Sequence, residues 1–263
     1  MAYSNSLEFL KMIKEVGSVQ LEKQDVPARQ SVPARQPVSA RQTVSVSQTV
    51  PARQTVSVRQ RVPQRISLDR EIKNVDSQSK IAVIDTETNW YNEVMSIGIA
   101  LADADTFKCI DAKYFIIDPE CRKGGMYSNV LNIVEKLTTS IVTRQKAMED
   151  ICRYFKEHCV SSIYAYNAKF DYGHLEELSD FEWFDIMRIA AYRQFNSFIS
   201  PTSEFCKSGR LKKGYSVENI LRMISGDSNY CETHNAVYDA MDELKIMELL
   251  GHELNSYDCA KIN

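Results

Sequence analysis

The sequence predicts one α/β domain, built on a mixed central sheet flanked by helices and beginning near Lys80. Three strand-like apolar runs come first, then a helix, a fourth strand and a series of helices. A group of strands followed by alternating helices and strands is typical of a sheet with both antiparallel and parallel pairs. A hydrophobic content of 44% is sufficient for the core that such a domain needs.

The strands are recognised from short apolar runs rich in β-branched residues. Residues 80–85 (KIAVID) have the continuous apolar pattern of a buried central strand. Residues 93–101 and 107–117 predict two further strands. Residues 162–166 (SIYAY) predict a fourth strand, which is again buried.

Helices are predicted where apolar residues recur at helical spacing. In the first helix, Ile151, Tyr154 and Phe155 form the apolar face. Ser216 and Asp185 are interpreted as N-caps of later helices. The predicted helices span residues 143–157, 184–195, 216–224 and 235–250, with one more that begins near Asp171.

The N-terminal part of the chain contains a six-residue repeat. Residues 26–65 read VPARQS, VPARQP, VSARQT, VSVSQT, VPARQT, VSVRQR and VPQR. Valine is the only regular apolar residue, so the segment cannot bury enough surface to offset the entropy lost on ordering. We therefore expect residues 26–65 to be disordered. Three roles stay open: an expansion tolerated without function, a weak contact with nucleic acid, and an interaction scaffold.

Before the repeats, Leu7, Leu10 and Ile13 fall at helical spacing. They predict a short amphipathic helix, which is marginal alone and would dock on the domain or on a partner, or fray. A protein partner is therefore a hypothesis for residues 1–65. The predicted organisation is a short N-terminal segment (residues 1–25), the repeats (26–65), a linker (66–79), the α/β domain (80–254) and a C-terminal tail (255–263).

The net charge of −3 averages two different parts of the chain. Residues 26–65 contain seven arginines and no acidic residue, so the rest of the chain carries −10. An acidic body does not attract a polyanion by itself. Binding to nucleic acid would need metal ions at the site or local basic loops.

The sequence contains neither an N-terminal apolar stretch like that of a signal peptide nor an apolar run of about 20 residues that would span a membrane. Its seven cysteines are scattered, without a CxxC pair. Such an odd set argues against a disulfide framework or a zinc site. We therefore expect a cytoplasmic protein with reduced thiols and no membrane contact.

Asp85 and Glu87 stand at the end of the first strand. Side chains alternate between faces along a strand, so the two carboxylates point the same way, about 7 Å apart. Two buried carboxylates on one face repel each other and lose solvation unless a cation lies between them. A divalent ion bound by oxygen ligands removes both costs. The alternative is an ordinary strand end with exposed acids.

Two later segments add further acidic residues and a histidine. Asp171 begins the helix after the fourth strand, where Asp is also a common N-cap. His234 lies at or just before the N-terminus of the last helix, and Asp239 follows slightly more than one turn later. This spacing lets the carboxylate hold a metal while the imidazole accepts a proton from water near neutral pH. The alternative is a structural His–Asp pair.

These segments together resemble the DEDD exonuclease superfamily, in the histidine subgroup (DEDDh) that includes the bacterial DNA polymerase proofreading subunit and ribonuclease T. Residues 85–87 (DTE) match the Asp-x-Glu motif, and residues 167–171 (NAKFD) match the Asn…Phe-Asp stretch. Residues 234–240 (HNAVYDA) match His-x-Ala-x-x-Asp-Ala completely. The tyrosine subgroup would need Tyr where this chain has Asn235. The resemblance covers roughly residues 81–250.

The resemblance implies a ribonuclease H-like fold and 3′→5′ hydrolysis of single-stranded DNA or RNA ends to nucleoside 5′-monophosphates. It also implies a two-metal mechanism with Mg²⁺ or Mn²⁺. By matching motifs, His234 becomes the general base. The implied metal ligands are Asp85, Glu87, Asp171 and Asp239. Two other interpretations stay open: a proofreading-type subunit tethered to a polymerase, and a module that binds nucleic-acid ends without cutting.

Candidate substrate contacts surround these motifs. Trp90 follows the first motif and would stack on the terminal base, a contact worth ~1–3 kcal/mol. Thr88 would contact the terminal sugar, and Asn167 belongs to the second motif. Lys207 and Arg210 lie in a basic, glycine-containing loop suited to the phosphate backbone. A core or rim aromatic residue and a solvated basic loop are the alternatives.

Overall fold

The computed structural model describes residues 79–134 and 139–263 of the chain. The predictions made for residues 1–78, which include the amphipathic helix and the hexapeptide repeats, lie outside the described residues. None of the described helices is both long enough and apolar enough to cross a membrane.

The described residues contain the four predicted strands and, in addition, two strands that the sequence analysis did not predict, Thr139–Val142 and Glu182–Asp185. The strands are β1 (Lys80–Thr88), β2 (Val94–Asp103), β3 (Cys109–Ile117), β4 (Thr139–Val142), β5 (Ser162–Ala165) and β6 (Glu182–Asp185). The α-helices are α1 (Arg144–Glu157), α2 (Lys169–His174), α3 (Met187–Ala190), α4 (Val217–Ser225) and α5 (Ala236–Leu250). Short 3-10 helices span Glu120–Lys123, Ser128–Val130, Glu176–Leu178 and Leu254–Ala260.

The six strands make one mixed sheet in the order β4-β3-β2-β1-β5-β6. β1, β2 and β3 are antiparallel neighbours. β5 runs parallel to β1, β6 parallel to β5, and β4 parallel to β3. The mixed sheet with its flanking helices confirms the predicted ribonuclease H-like fold class.

β1 lies between two hydrophobic layers because its side chains alternate between the faces of the sheet. Ile81 and Val83 pack in the layer that contains the buried residues of α4 and α5. Ala82 packs on the opposite face with the buried residues of α1. By the same alternation, Asp85 and Glu87 continue the face of Ile81 and Val83, so both carboxylates point towards α5.

The helix predicted for residues 184–195 is wrong except at four residues. The chain forms β6 there, then the short helix α3 and turns. Trp183 and Phe184 are buried in opposite hydrophobic layers, and apolar residues buried on both faces of a strand resemble a helical run in the sequence. Beyond α3, Leu211 donates its backbone N–H to the carbonyl of Ala191, which draws the chain out of the helical path.

Residues 255–263, which the sequence set apart as a tail, pack on the edge of the sheet beside β6. The backbone N–H of Ile262 donates to the carbonyl of Trp183 at 2.9 Å. The backbone N–H of Trp183 in turn donates to Oδ1 of Asn263 at 2.9 Å. The fully buried ring of Tyr257 meets the ring of Tyr164 edge-on. The chain end is therefore part of the packed domain.

Gly98 in β2 lets α5 lie directly on the sheet. A Cβ atom at this position would come within 2.1 Å of the backbone carbonyl of Ala236 and 2.2 Å of the backbone nitrogen of Val237. Both of these residues are in the first turn of α5, and Asp85 is the cross-strand partner of Gly98. The missing side chain therefore brings the start of α5 next to the end of β1.

We expect Gly98→Ala to lower the free energy of unfolding by at least about 3 kcal/mol, because the added methyl group requires backbone atoms of α5 to move. Chemical denaturation followed by circular dichroism, with EDTA present, measures this loss. Gly173→Ala is the matched control, since a Cβ there meets nothing within 4 Å. A loss at Gly98 no larger than that at Gly173 would contradict the close approach of α5 to β2.

Candidate active site

Three segments that are far apart in the sequence meet at one edge of the sheet. β1 and β5 are parallel and pair through Ala82 with Ile163 and Val83 with Tyr164, so their carboxyl ends lie on the same side. The N-terminus of α5 reaches this edge through its contact with Gly98. The end of β1, the turn after β5 and the start of α5 therefore surround one site.

Glu87, His234 and Asp239 form the centre of this site. The ligand atoms of the three side chains all lie within 4.8 Å of one another. Glu87 comes from the end of β1. Asp239 lies in the first turn of α5, and His234 lies two residues before this helix begins. Two carboxylates at this separation can bind a divalent metal ion, with the imidazole beside it as a further ligand or as a proton acceptor.

Asp171 is attached to β1 by two hydrogen bonds. Its side chain is buried, and Oδ1 accepts from the backbone N–H of Thr86 at 3.0 Å and from the Thr86 hydroxyl at 2.7 Å. Thr86 stands between Asp85 and Glu87 in the sequence. The two bonds therefore hold the carboxylate of the second motif beside those of the first.

His234 is held by its neighbours in a left-handed turn. Its φ of 55° lies in a region that residues other than glycine rarely adopt. Its ring stacks on Tyr127, with centroids 4.3 Å apart and planes 17° apart. The buried amide of Asn235 donates to the Tyr114 hydroxyl at 3.1 Å and to the Val130 carbonyl at 2.8 Å. These contacts fix the turn from which the imidazole projects.

Burial raises the pKa of each acidic side chain in the site when no metal is bound. Burial first, and then the charges of Glu232 and Asp171, raise the pKa of Glu87 to about 8. Burial also raises the pKa of Asp171 to about 7, although the bonds from Thr86 act in the opposite direction. The pKa values of Asp85 and Asp239 are raised as well, again mainly by burial. A bound cation would lower all four pKa values by favouring the charged forms.

Two carboxylate oxygens in the site have no hydrogen-bond partner. Oδ2 of Asp85 and Oδ1 of Asp239 are inaccessible to solvent and unpaired. A buried acceptor without a partner costs about 1–3 kcal/mol. Hard divalent cations such as Mg²⁺ and Mn²⁺ are bound by carboxylate oxygens, which would satisfy both atoms. The residues present therefore fit such ions.

Thr88 and Trp90 lie directly after the acidic residues of β1. The indole of Trp90 is 66% exposed, and its backbone N–H donates to the carbonyl of Gly124 at 3.0 Å. Gly124 belongs to the same short segment as Tyr127, which stacks on His234. Thr88 is half-buried, and its carbonyl faces this segment near Gly125. The exposed indole therefore lies against the segment that also carries Tyr127.

Asn167 shapes the turn that carries Asp171. Its φ is 61°, its backbone N–H donates to Oδ1 of Asp185 at 2.9 Å, and its carbonyl accepts from the N–H of Phe170 at 2.9 Å. These contacts involve the backbone of Asn167, whose side chain is exposed. Oδ1 of Asp185 also accepts from the N–H of Met187, the first residue of α3, but the N-cap residue is Ile186, one position later than predicted.

Lys207 and Arg210 lie outside the carboxylate cluster, in the segment between α3 and α4. The guanidinium of Arg210 lies over the ring of Tyr215, 4.6 Å from its centroid, and Lys207 is exposed. Tyr166, the first residue after β5, donates its hydroxyl to the carbonyl of Tyr215. Arg210 is thereby linked to the edge of the site, whereas Lys207 is only part of the same loop.

Sequence reasoning missed Tyr127 and Glu243. No pattern in the sequence points to Tyr127, because it reaches His234 from a distant loop. Glu243 is buried one helical turn after Asp239 and is the charge that acts most strongly on Asp85. Its spacing of four residues from Asp239 was a usable signal, since residues four apart share a helix face.

No protein-family model matches the chain, and no curated protein sequence is significantly similar to it. Structural matches have low identity. The nuclease domain of 3′hExo, a DEDDh family member bound to rAMP, is 14% identical with a TM-score of 0.45, and the match covers 72% of this chain and 98% of that one.

Two further solved structures show similar values. A 3′-exonuclease solved for 3′-end specific recognition of a histone mRNA stem-loop is 14% identical with a TM-score of 0.46, and the match covers 66% of this chain and 65% of that one. The zinc-bound complex of E. coli exonuclease I with single-stranded DNA is 14% identical with a TM-score of 0.46. The match covers 66% of this chain and 40% of that one. This chain thus spans less than two thirds of either protein. At such similarity, its chemistry has to be inferred from its own residues.

We expect the metal-free protein to lose stability relative to Glu87→Gln as the pH rises. The folded-state pKa of Glu87, about 8, lies above its ordinary value of 4.5. The contribution of protonated Glu87 to the free energy of unfolding is therefore complete below pH 4.5. It is lost as the pH rises through about 8. Thermal unfolding in EDTA at stepped pH measures the difference between the two proteins.

The comparison with Glu87→Gln is needed because burial lowers the pKa of His234, which acts in the opposite direction. Saturating Mg²⁺ should remove the loss, since the ion favours the charged carboxylate. Parallel stability curves for the two metal-free proteins would show that the pKa of Glu87 is not raised.

Proposed function

We propose that the chain is a divalent-metal-dependent 3′→5′ exonuclease acting on single-stranded ends of DNA or RNA. The observation that carries the proposal is the meeting of Glu87, His234 and Asp239 beside carboxylate oxygens without hydrogen-bond partners. A purely structural cluster would satisfy such buried oxygens with N–H, O–H or cationic donors. Unpaired acidic oxygens beside an imidazole are instead suited to metal-assisted hydrolysis.

Four carboxylates provide the oxygen ligands for Mg²⁺ or Mn²⁺: Asp85, Glu87, Asp171 and Asp239. When bound, two such ions supply Lewis-acid stabilisation of the charge on the phosphodiester and lower the pKa of the attacking water. Thr86 holds one of the four, Asp171, in place through its backbone and hydroxyl donors. The carboxylate of Asp171 is therefore positioned before substrate arrives.

His234 acts as the general base. Burial lowers its pKa from the ordinary value of 6.5, so the imidazole is neutral at pH 7 and can accept a proton from water. The stacked ring of Tyr127 limits rotation of the imidazole. The nearby carboxylate of Glu218 favours the imidazolium that proton transfer produces.

Exposed aromatic side chains in the loop that follows β1 support binding of an unpaired terminal nucleotide. Trp90 and Tyr91 are 66% and 72% exposed. Their loop is ordered by Oδ1 of Asn89, which accepts from the N–H groups of Tyr91 and Glu93. Bases of any sequence can stack on such side chains, provided that they are unpaired. The 3′→5′ direction and the nucleoside 5′-monophosphate product follow from the resemblance of the three motifs.

The wider biology stays a prediction. A cytoplasmic location, a protein partner bound through residues 1–65 and a tether to a polymerase are hypotheses about the whole chain. A module that binds ends without cutting is an outcome of the cleavage experiment below.

We expect the protein to shorten 5′-labelled single-stranded DNA or RNA oligonucleotides from the 3′ end in the presence of Mg²⁺. EDTA and Asp239→Asn should abolish cleavage, because both remove metal from the site. His234→Ala should lower kcat by about 10²- to 10⁴-fold, the usual contribution of a general base. A denaturing gel resolves the ladder and compares the two sugars.

Glu149→Gln is the matched control, since it removes an exposed carboxylate from α1. It should cleave like the wild type. Binding of the oligonucleotide without cleavage in Mg²⁺ or Mn²⁺ would refute the hydrolase and leave the non-cutting module. Early release of the labelled nucleotide from the 5′ end would refute the 3′→5′ direction.

We expect Arg210→Gln to raise KM several-fold without changing kcat, because its guanidinium binds the phosphate backbone away from the reacting atoms. The substitution removes from the protein one positive charge that would contact a phosphate, so it should also reduce the slope of log KM against log salt by about 0.7 on a single strand. Steady-state kinetics at several salt concentrations measure both. Arg153→Gln on α1 is the control, and equal KM values for the two variants would remove Arg210 from the substrate path.

A further inference from the structure

Glu243 is a buried carboxylate at the edge of the site to which the proposed function assigns no role. It lies one helical turn after Asp239 on α5, and only 2% of the residue is exposed. Residues four apart share a helix face, so Glu243 faces the sheet as Asp239 does. Among the charged groups around Asp85, Glu243 acts on it most strongly. Glu243 therefore borders the metal-binding carboxylates.

One hydrogen bond connects Glu243 to the second motif. Its Oε2 accepts from the backbone N–H of Tyr166 at 2.9 Å. Tyr166 begins the turn that leads from β5 into α2, the helix that carries Asp171. The hydroxyl of Tyr166 donates to the carbonyl of Tyr215, so this residue is held at both ends. The bond therefore joins α5, which carries Asp239, to the segment that carries Asp171.

A carboxylate in this position has a cost that an apolar side chain would avoid. Burial removes its solvation, and the charges of Asp171 and Asp239 repel it. Cations held by the adjacent carboxylates reverse this balance, because an additional negative charge a few ångströms away strengthens their attraction. The residue is thus unfavourable in the metal-free protein and favourable in the metal-bound protein.

We propose that Glu243 is a positioning residue of the metal site. Its charge increases the affinity for divalent ions, and its hydrogen bond to Tyr166 keeps Asp171 and Asp239 at a fixed separation. Direct coordination is not required, since carboxylates behind the ligands commonly change metal affinity by about 10- to 100-fold. The inference rests on the proposed function, because it concerns the same site.

Two variants separate the charge from the hydrogen bond. Glu243→Gln removes the charge but keeps an oxygen that accepts from Tyr166. Glu243→Met keeps a similar volume but removes both. Glu248→Gln is the matched control. It removes a carboxylate that lies on the same helix but pairs with Lys245 outside the site. Mn²⁺ binding to the full-length proteins is measured from the electron paramagnetic resonance signal of free Mn²⁺, and kcat on a single-stranded oligonucleotide is measured against Mn²⁺ concentration.

We expect Glu243→Gln to bind Mn²⁺ about tenfold more weakly than the wild type but to recover full kcat at saturating Mn²⁺. Glu243→Met should bind Mn²⁺ more weakly and should not recover kcat, because the unpaired N–H of Tyr166 loosens the turn before Asp171. Glu248→Gln should match the wild type in both measurements.

An unchanged Mn²⁺ affinity in Glu243→Gln overturns the role of the charge. Full recovery of kcat in Glu243→Met overturns the role of the hydrogen bond. A wild-type protein that binds no Mn²⁺ overturns the proposed function itself. A wild-type protein that binds Mn²⁺ and cleaves, with both Glu243 variants identical to it, overturns only the inference about Glu243.

Discussion

The contact between α5 and β2 at Gly98 determines where the acidic side chains of the site lie. Ala236 is fully buried at this contact, and a Cβ on Gly98 would meet its backbone. Ala236 is also the alanine of the third sequence motif. A larger residue on either side would lift α5 from the sheet and move Asp239 away from Glu87. The pairing of two small residues is therefore a condition for the carboxylate cluster, although neither residue belongs to it.

The same contact places a helix with several charged residues inside the domain, and most of these charges have partners. Oε2 of Glu243 accepts from Tyr166, the ammonium of Lys245 pairs with Glu248, and Asp242 accepts from the Tyr230 hydroxyl. Oδ1 of Asp239 differs, because it is buried without a partner. Most charged residues of the helix thus have a hydrogen-bond or ion-pair partner, whereas Oδ1 of Asp239, at the candidate metal site, has none.

Strand alternation and helical spacing were sufficient to predict the parts of the site that lie within one element. They placed Asp85 and Glu87 on one face and brought His234 near Asp239. They could have indicated Glu243, which shares the helix face of Asp239, but an acidic residue on a helix is more often on the solvated face. The roles of Gly98 and Tyr127 could not be predicted for another reason: each acts through a contact with a segment that is distant in the sequence. The wrong helix at residues 184–195 has a similar origin, since burial on both faces of β6 removed the alternation that distinguishes a strand.

The three acidic segments of the site also differ in how they form during folding. Asp85, Asp171 and Asp239 come together only through non-local pairings, those of β1 with β5 and of α5 with β2. Non-local contacts must first offset the entropy of closing the intervening loops, so they slow folding, whereas a helix such as α1 needs only local contacts. A chain that has formed its helices but not its sheet therefore holds the carboxylates apart. An incompletely folded molecule lacks the site altogether, so the proposed activity would belong only to molecules whose sheet is complete.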